Sequence, residues 1–277
     1  MSGTLFVVAT PIGNLEDMSP RARQTLAAVD LIAAEDTRRT GRLLSHFGLK
    51  KPLIALHDHN EQVLARELVE KLLAGRSIAL VSDAGTPLLS DPGYRLVSSA
   101  HSEGLRVSPI PGPAALVAAI SAAGLPTDRF CFEGFLPSKK KARMEVLAAL
   151  KTEPRTMIFY ESVHRIAAGL GDLCHAFGAD RQAFLGRELT KLHEQCVAGT
   201  LGELRRRLDE GDIVDKGEFV VVVGGAPGEA ESSIDTDHLL TELAQVLSGK
   251  DAARIASRVT GEKRNVLYRR LLELTRS

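Results

Sequence analysis

Short apolar runs alternate with amphipathic stretches through the first half of the chain. Leu5–Ala9, Leu31–Ala34, Leu53–Leu56, Ile78–Val81 and Arg106–Ile110 read as strands. Helical periodicity fills the gaps. Ser19 and Pro20 open a helix through Val29, Ser as N-cap and Pro in the first turn. Thr37–Phe47 follows, closed by Gly48. Glu61–Ala74 is apolar at Val63, Leu64, Leu68, Leu72 and Leu73 and stops at Gly75, and Pro92–Ser102 completes the set. Strands separated by helices predict a mainly parallel sheet covered on both faces.

After Gly124-Leu125-Pro126 the texture changes. Strand-like runs fall at Arg129–Glu133, Thr156–Tyr160, Ala183–Arg187, Glu194–Ala198 and Glu218–Val223. Helices fit Lys139–Leu150, Val163–Phe177 and Leu201–Leu208. This predicts a second α/β domain with a mixed, more antiparallel sheet. Gly224–Ser233 has linker composition, and Asp237–Leu274 reads as helical throughout. The expected organisation is an N-terminal α/β domain over 1–122, a second α/β domain over 123–226 with a cleft between the two, and a helical subdomain over 234–277.

Val107–Thr127 carries no charge, but prolines at 109, 111, 113 and 126 confine its helix to Ala114–Ala123. Such a helix is ~15 Å long, half of a bilayer core, so it is expected to be buried in protein rather than in a membrane. Lys+Arg and Asp+Glu both number 35, which excludes a global polycation and leaves nucleic-acid contact to local patches. Cys131, Cys174 and Cys196 are odd in number and widely spaced. They predict a reducing, cytoplasmic location, and no disulfide framework or structural metal. The start of the chain lacks a basic n-region, so no secretory signal is expected.

Ligands of open α/β sheets sit beyond the carboxyl ends of the strands, so the loops there carry the candidate chemistry. Thr10–Asp17 contains Pro11-Ile12-Gly13-Asn14, which is neither a dinucleotide fingerprint nor a triphosphate loop. Alone it reads as a plain tight turn. Ser82-Asp83-Ala84-Gly85-Thr86-Pro87 offers small residues for close backbone approach, with Asp83 and Thr86 to orient a ligand. Asp91 is expected to cap the next helix. Pro111-Gly112-Pro113-Ala114-Ala115 is a third such loop. Three at equivalent positions suggest a shared cleft for an uncharged or zwitterionic ligand.

Val8–Leu15 and Ser82–Pro87, with Glu35-Asp36-Thr37-Arg38, His57-Asp58-His59-Asn60, Ser90-Asp91-Pro92-Gly93, Gly134-Phe135-Leu136-Pro137, Tyr160-Glu161-Ser162, Arg187-Glu188-Leu189-Thr190-Lys191 and Lys216-Gly217-Glu218, match one pattern in order along nearly the whole chain. The pattern is similar to the bacterial 16S rRNA cytidine 2′-O-methyltransferases of the tetrapyrrole-methylase superfamily. The resemblance implies two α/β domains with S-adenosyl-L-methionine in the cleft between them, and a homodimer. It implies methylation of the ribose 2′-oxygen of cytidine 1402 in the small ribosomal subunit. It further implies that Pro11–Asn14, Ser82–Pro87 and Pro111–Ala115 line the cofactor cleft.

Methyl transfer from a sulfonium is an in-line displacement, and a ribose hydroxyl is a weak nucleophile that gains from a base. Glu35, Asp36, Asp58, Glu188 and the two histidines are candidate bases, with Arg38, Arg187 and Lys191 as phosphate or oxyanion partners. Asp36 or Thr37 serves equally as a helix cap, with Arg38 paired to a neighbouring acid. His57 and His59 face one way if the strand continues through them. Lacking further ligands at useful spacing, they read as substrate contacts or satisfied polar groups, not a metal site. Phe135 and Tyr160 are suited to stack on a base or to pack in a core.

Lys139, Lys140, Lys141 and Arg143 crowd a helix start, where cations oppose the dipole; the run reads as a solvated face or as the seat of an anionic partner, and the resemblance implies RNA phosphate as that partner. Residues 249–277 hold eight Lys/Arg and three Asp/Glu. Asp251–Val259, a turn at Thr260-Gly261 and Glu262–Leu274 predict two helices sharing Ala252, Ile255, Ala256, Val259, Val266, Leu267 and Leu271 as core. Lys263, Arg264, Tyr268 and Arg269 begin the second, in a helix-turn-helix-like arrangement suited to rRNA. A packing subdomain is the alternative. Two other functions stay open: a tetrapyrrole C-methyltransferase, which needs no basic tail, and a nucleic-acid-binding ligand sensor, which binds cofactor without turnover.

Overall fold

Each residue of Ile78–Val81 is apolar and buried, as a central parallel strand covered on both faces requires. In the computed structural model, which describes residues 2–57, 59–226, 236–260 and 262–275, that strand is β4. Its sheet also contains β1 (Thr4–Val8), β2 (Leu31–Ala34), β3 (Leu53–Ala55) and β5 (Arg106–Ile110). The order is β3-β2-β4-β1-β5 and every pairing is parallel. The connections are α1 (Pro20–Ala28), α2 (Thr37–His46), α3 (Glu61–Leu73) and α4 (Tyr94–Ser102). Ser19 caps α1 as predicted, its side chain accepting from the Ala22 N–H.

The second sheet contains β6 (Phe130–Phe135), β7 (Thr156–Ser162), β8 (Gln182–Arg187), β9 (Gln195–Thr200) and β10 (Glu218–Val223), in the order β6-β7-β10-β8-β9. Only β6 and β7 pair in parallel. Phe219, Val221 and Val223 of β10 enter one core, shared with α7 (Ile166–Phe177) and α8 (Leu201–Asp209). Val220 and Val222 enter another, built against α5 (Ala115–Ala122). Thus the helix that leaves the first sheet lays Leu116, Ala119 and Ile120 on the second. Residues 1–225 accordingly form one compact unit containing both sheets.

Residues 226–277 form another unit. Within it α9 (Thr236–Val246), α10 (Gly249–Thr260) and α11 (Arg264–Leu274) bury Leu240, Ala252, Ala253, Ala256, Leu267 and Leu271 together. Val259 and Val266, expected in that core, are each 51% exposed, and Ala253 is buried instead. The reason is helix phase: α10 turns Ala252, Ala253 and Ala256 inward, and Ile255, also expected in the core, is only half-buried beside it. The turn at Gly261 and most of the linker fall outside the described residues.

Two expectations about element ends are corrected. Asp91 does not cap α4; Gly93 is the N-cap residue, and buried Glu61 reaches across from α3 to accept from the Gly93 and Arg95 N–H groups at 3.0 and 2.7 Å. His57 and His59 do not lie on a strand, because β3 ends at Ala55 and Asn60 closes the loop by accepting from the His57 N–H.

Candidate active site

The carboxyl ends of the first sheet and one end of the second enclose a cavity of about 390 Å³. Its floor is made of small residues, Ala84 and Gly85 after β4 and Ala114 and Ala115 at the start of α5. The loop after β1 is pinned to the loop after β4 by paired backbone bonds between Thr10 and Gly85, at 2.9 and 3.0 Å. Thr86 Oγ1 donates to the Pro113 carbonyl at 3.0 Å, tying in the third loop. Leu88 and Ser90, neither of them glycine, are held in left-handed backbone conformations at φ 72° and 69° beside the cavity. Such strain clusters where loop shape serves a site.

Phe135 and Tyr160 give the cavity an aromatic wall, their ring centroids 5.5 Å apart. Tyr160 Oη accepts from the Leu116 N–H at 3.2 Å, and burial pushes its hydroxyl above the usual tyrosine range. Glu35, Asp83, Asp91, Glu161 and Glu218 line the cavity, against two cations, Arg39 and Lys191. Glu35 Oε2 accepts from the Asp83 N–H at 3.2 Å, while Asp83 Oδ1 accepts from the Asp36 N–H at 2.9 Å. Glu161 is only 5% exposed, and burial raises its carboxyl above the ordinary range despite the Ser162 N–H and Arg165 beside it.

The loop after β8 closes the opposite side. Glu188 and Thr190 both adopt left-handed backbone, at φ 48° and 69°. Lys191 Nζ donates to Glu188 Oε1 at 2.8 Å and to Glu218 Oε2 at 3.0 Å. Burial favours the neutral forms of this pair, but the mutual hydrogen bonds win: Glu188 titrates below and Lys191 above its ordinary range. The aliphatic part of Lys191 lies where a β-carbon on Gly13 would be, which explains why that loop position is glycine. Thr190 Oγ1 accepts from the Asn14 N–H at 3.2 Å.

The structure sorts the predicted residues. Ile12, Glu35, Asp83–Thr86, Ala114, Ala115 and Lys191 border the cavity. Pro11, Gly13 and Ser82 border a neighbouring cavity that shares Arg39 and Asp83. Asn14, Pro87, Pro111, Gly112 and Pro113 shape the loops without bordering either one. Asp36 and Arg38 do not border the cavity. Asp36 caps α2 and takes Arg38 as a bidentate partner, which holds its carboxyl far below the usual range and makes it a poor base. Glu188 is likewise a support for Lys191 and not a cavity group.

Two predicted RNA contacts are corrected. Arg143 is buried, ion-paired to Asp172 at 2.6 Å, and donates to the Pro137 and Ser138 carbonyls at 3.1 Å. Arg187 is buried too, donating to the Lys216 and His193 carbonyls at 2.5 and 2.7 Å. Both guanidiniums are consumed by the scaffold. Lys139 precedes α6 (Lys140–Ala149), and Lys139, Lys140 and Lys141 are exposed, as are His57, His59, Lys263, Arg264 and Arg269. Tyr268 is half-buried against the helical core. Asp58 lies outside the described residues. Among the described residues there is no three-ligand metal cluster, and no helix is long and apolar enough to cross a membrane.

Sequence reasoning missed Arg39, Asp91 and Glu161 as cavity residues. Arg39 was legible only from helix phase, since Arg38 and Arg39 point to different sides of α2.

A family model described as tetrapyrrole (corrin/porphyrin) methylases matches residues 4–205, and one described as an RsmI C-terminal HTH domain matches residues 230–275. The ribosomal RNA small subunit methyltransferase I of Xylella fastidiosa (strain Temecula1) is 51% identical over 267 residues, 96% of this chain and 98% of that protein. The protein of the same name from Escherichia coli O157:H7 is 51% identical over 272 residues, 98% of this chain and 95% of its own length. The chain belongs to this branch of the tetrapyrrole methylase family. Solved structures agree on the fold. A uroporphyrin-III-C-methyltransferase from Thermus thermophilus superposes with a TM-score of 0.56 at 19% identity, covering 82% of this chain and 97% of that one. The methyltransferase CobJ gives 0.60 at 22%, covering 81% and 95%.

Proposed function

We propose that this chain is an S-adenosylmethionine-dependent methyltransferase that methylates the ribose 2′-oxygen of cytidine 1402 in 16S rRNA of the small ribosomal subunit. It acts in the cytoplasm, as a homodimer, with domains over 1–122, 123–226 and 234–277. The observation that carries the reading is the near-full-length identity to proteins named ribosomal RNA small subunit methyltransferase I.

The cavity suits the methyl donor. That molecule carries a sulfonium, an ammonium and one carboxylate, a net positive charge, and the cavity has five carboxylates to two cations. The floor of Ala84, Gly85, Ala114 and Ala115 admits close backbone approach, and Phe135 and Tyr160 supply an apolar face for an adenine ring. When bound, the donor supplies an electrophilic methyl group. The chain's own work is alignment and proton handling. Lys191, braced by Glu188 and Glu218, closes the second-sheet side and helps exclude water. Glu35, oriented by the Asp83 N–H, is positioned to accept the proton of an incoming hydroxyl. Arg39, paired to Asp83 at 3.1 Å, stands at the cavity edge where an anionic acceptor would enter. Lys139–Lys141 and the cations of α11 are the RNA-facing groups.

The test is transfer of labelled methyl from S-adenosylmethionine to small subunits from cells lacking the activity, with nucleoside identification by mass spectrometry. Label in 2′-O-methylcytidine is expected. Bound donor with no label in RNA would overturn the reading and direct the search to porphyrinoid acceptors.

A further inference from the structure

Next to the donor cavity lies a second one of about 290 Å³, and the Arg39–Asp83 ion pair borders both. Its character is the reverse of its neighbour's. Arg39, Arg42 and His46 of α2 line it, and Asp83 is the one carboxylate among its lining residues. The spacing of three and four residues puts these side chains on one face of the helix. Buried Leu44 turns to the core, while buried Thr40 also borders this cavity. Arg42 is exposed and makes no ion pair among the described residues. Pro11, Leu15 and Leu43 give the same cavity an apolar side.

A buried hydroxyl adds an independent observation. Thr10 borders this cavity and is 2% exposed, yet its Oγ1 has no hydrogen-bond partner. Its backbone N–H and carbonyl are both used on Gly85, so only the hydroxyl is idle. A buried polar group left unsatisfied is costly, and in a folded protein it commonly awaits a ligand or a water.

We propose that this second cavity seats one nucleotide of the acceptor RNA strand, with Arg42 and His46 on its phosphate, the Leu15–Leu43 side against its base or sugar, and the Thr10 hydroxyl as a hydrogen-bond partner. An acidic cavity for a cationic donor then abuts a basic cavity for an anionic acceptor. The shared Arg39–Asp83 pair sits at the boundary where the reacting groups meet. This rests on the function proposed above and specifies the acceptor's seat within it.

The experiment compares wild type, Arg42→Gln, His46→Gln and Thr10→Val in methyl transfer to small subunits over a range of salt, with donor affinity measured by calorimetry. If wild type binds donor but transfers no methyl to RNA, the functional reading itself fails. If wild type is active, Arg42→Gln is expected to raise KM for subunits about tenfold, the effect of losing one charge-assisted contact. The slope of log affinity against log salt should fall by roughly 0.7–0.9, the share of a single phosphate. His46→Gln should shift KM in the same direction, and donor affinity should stay unchanged in all variants. Thr10→Val should raise KM without lowering the melting temperature. Unchanged KM and salt slope in an active Arg42→Gln enzyme would overturn the assignment, as would unchanged KM in Thr10→Val for the hydroxyl.

Discussion

Replacing Arg143 by methionine separates a scaffold arginine from an RNA-binding one. The guanidinium spans α6 and α7 through Asp172, with Nε at 2.7 Å and Nη2 at 2.6 Å from one carboxylate oxygen. It also satisfies two carbonyls ahead of α6. Both side chains are close to fully buried, at 6% and 12% exposure, so removing the cation strands a carboxylate away from water. Breaking such a pair from one side costs about 3–5 kcal/mol. At ~2–4 °C per kcal/mol for a unit of this size, the melting temperature should fall by on the order of 10 °C. Urea unfolding should show the same loss in midpoint. Adding Asp172→Leu to Arg143→Met should restore part of it, because the stranded carboxylate is gone while the Pro137 and Ser138 carbonyls still lack their donor. A loss below about 1 kcal/mol, accompanied by weaker binding to small subunits, would refute the argument and return Arg143 to the RNA surface.

Other outcomes follow from the closing loop and the tail. Glu188 titrates below its ordinary range because of Lys191 and the Glu218 N–H, so its contribution to stability is complete above the unfolded carboxyl value and fades as pH falls through the lowered folded value; Lys191→Met should therefore destabilise at pH 7 and much less in strong acid, read by thermal melts across pH. Gly217→Ala should cost about 1–3 kcal/mol in urea midpoint, since φ is +97° and the new β-carbon would sit 2.5 Å from the Glu188 carboxyl. Deleting residues 234–277 should leave donor binding intact while lowering both methyl transfer to subunits and its salt dependence, measured in the labelled-methyl assay.

Most of the architecture was legible because it is written locally. Ile78–Val81, Glu218–Val223 and the Ser19-Pro20 helix start each state their structure within a few residues, and the three small-residue loops mark the strand ends that bear the cavity. What escaped reading depends on partners remote in sequence. Glu61 caps a helix that starts 33 residues later, and Asp91 borders the cavity instead. Arg143 and Arg187 look like surface cations until Asp172 and a set of carbonyls are brought to them. Neighbours such as Arg38 and Arg39 differ in role because helix phase, set by which face of α2 meets the core, sends one to Asp36 and the other to Asp83.

The placement of α5 reaches beyond geometry. Leu116, Ala119 and Ile120 follow the first sheet in the chain but are buried against Ile158, Phe184, Val220 and Val222 of the second. A chain cut between residues 122 and 123 would therefore yield no self-sufficient halves. The first fragment would carry an apolar helix with nothing to cover it, and the second an open sheet face. Synthesis of the amino-terminal half ends with that helix waiting for strands not yet made, so its folding completes only after β10 has emerged. In native-state hydrogen exchange, the amides of α5 should open together with those of β8 and β10 and not with those of β5.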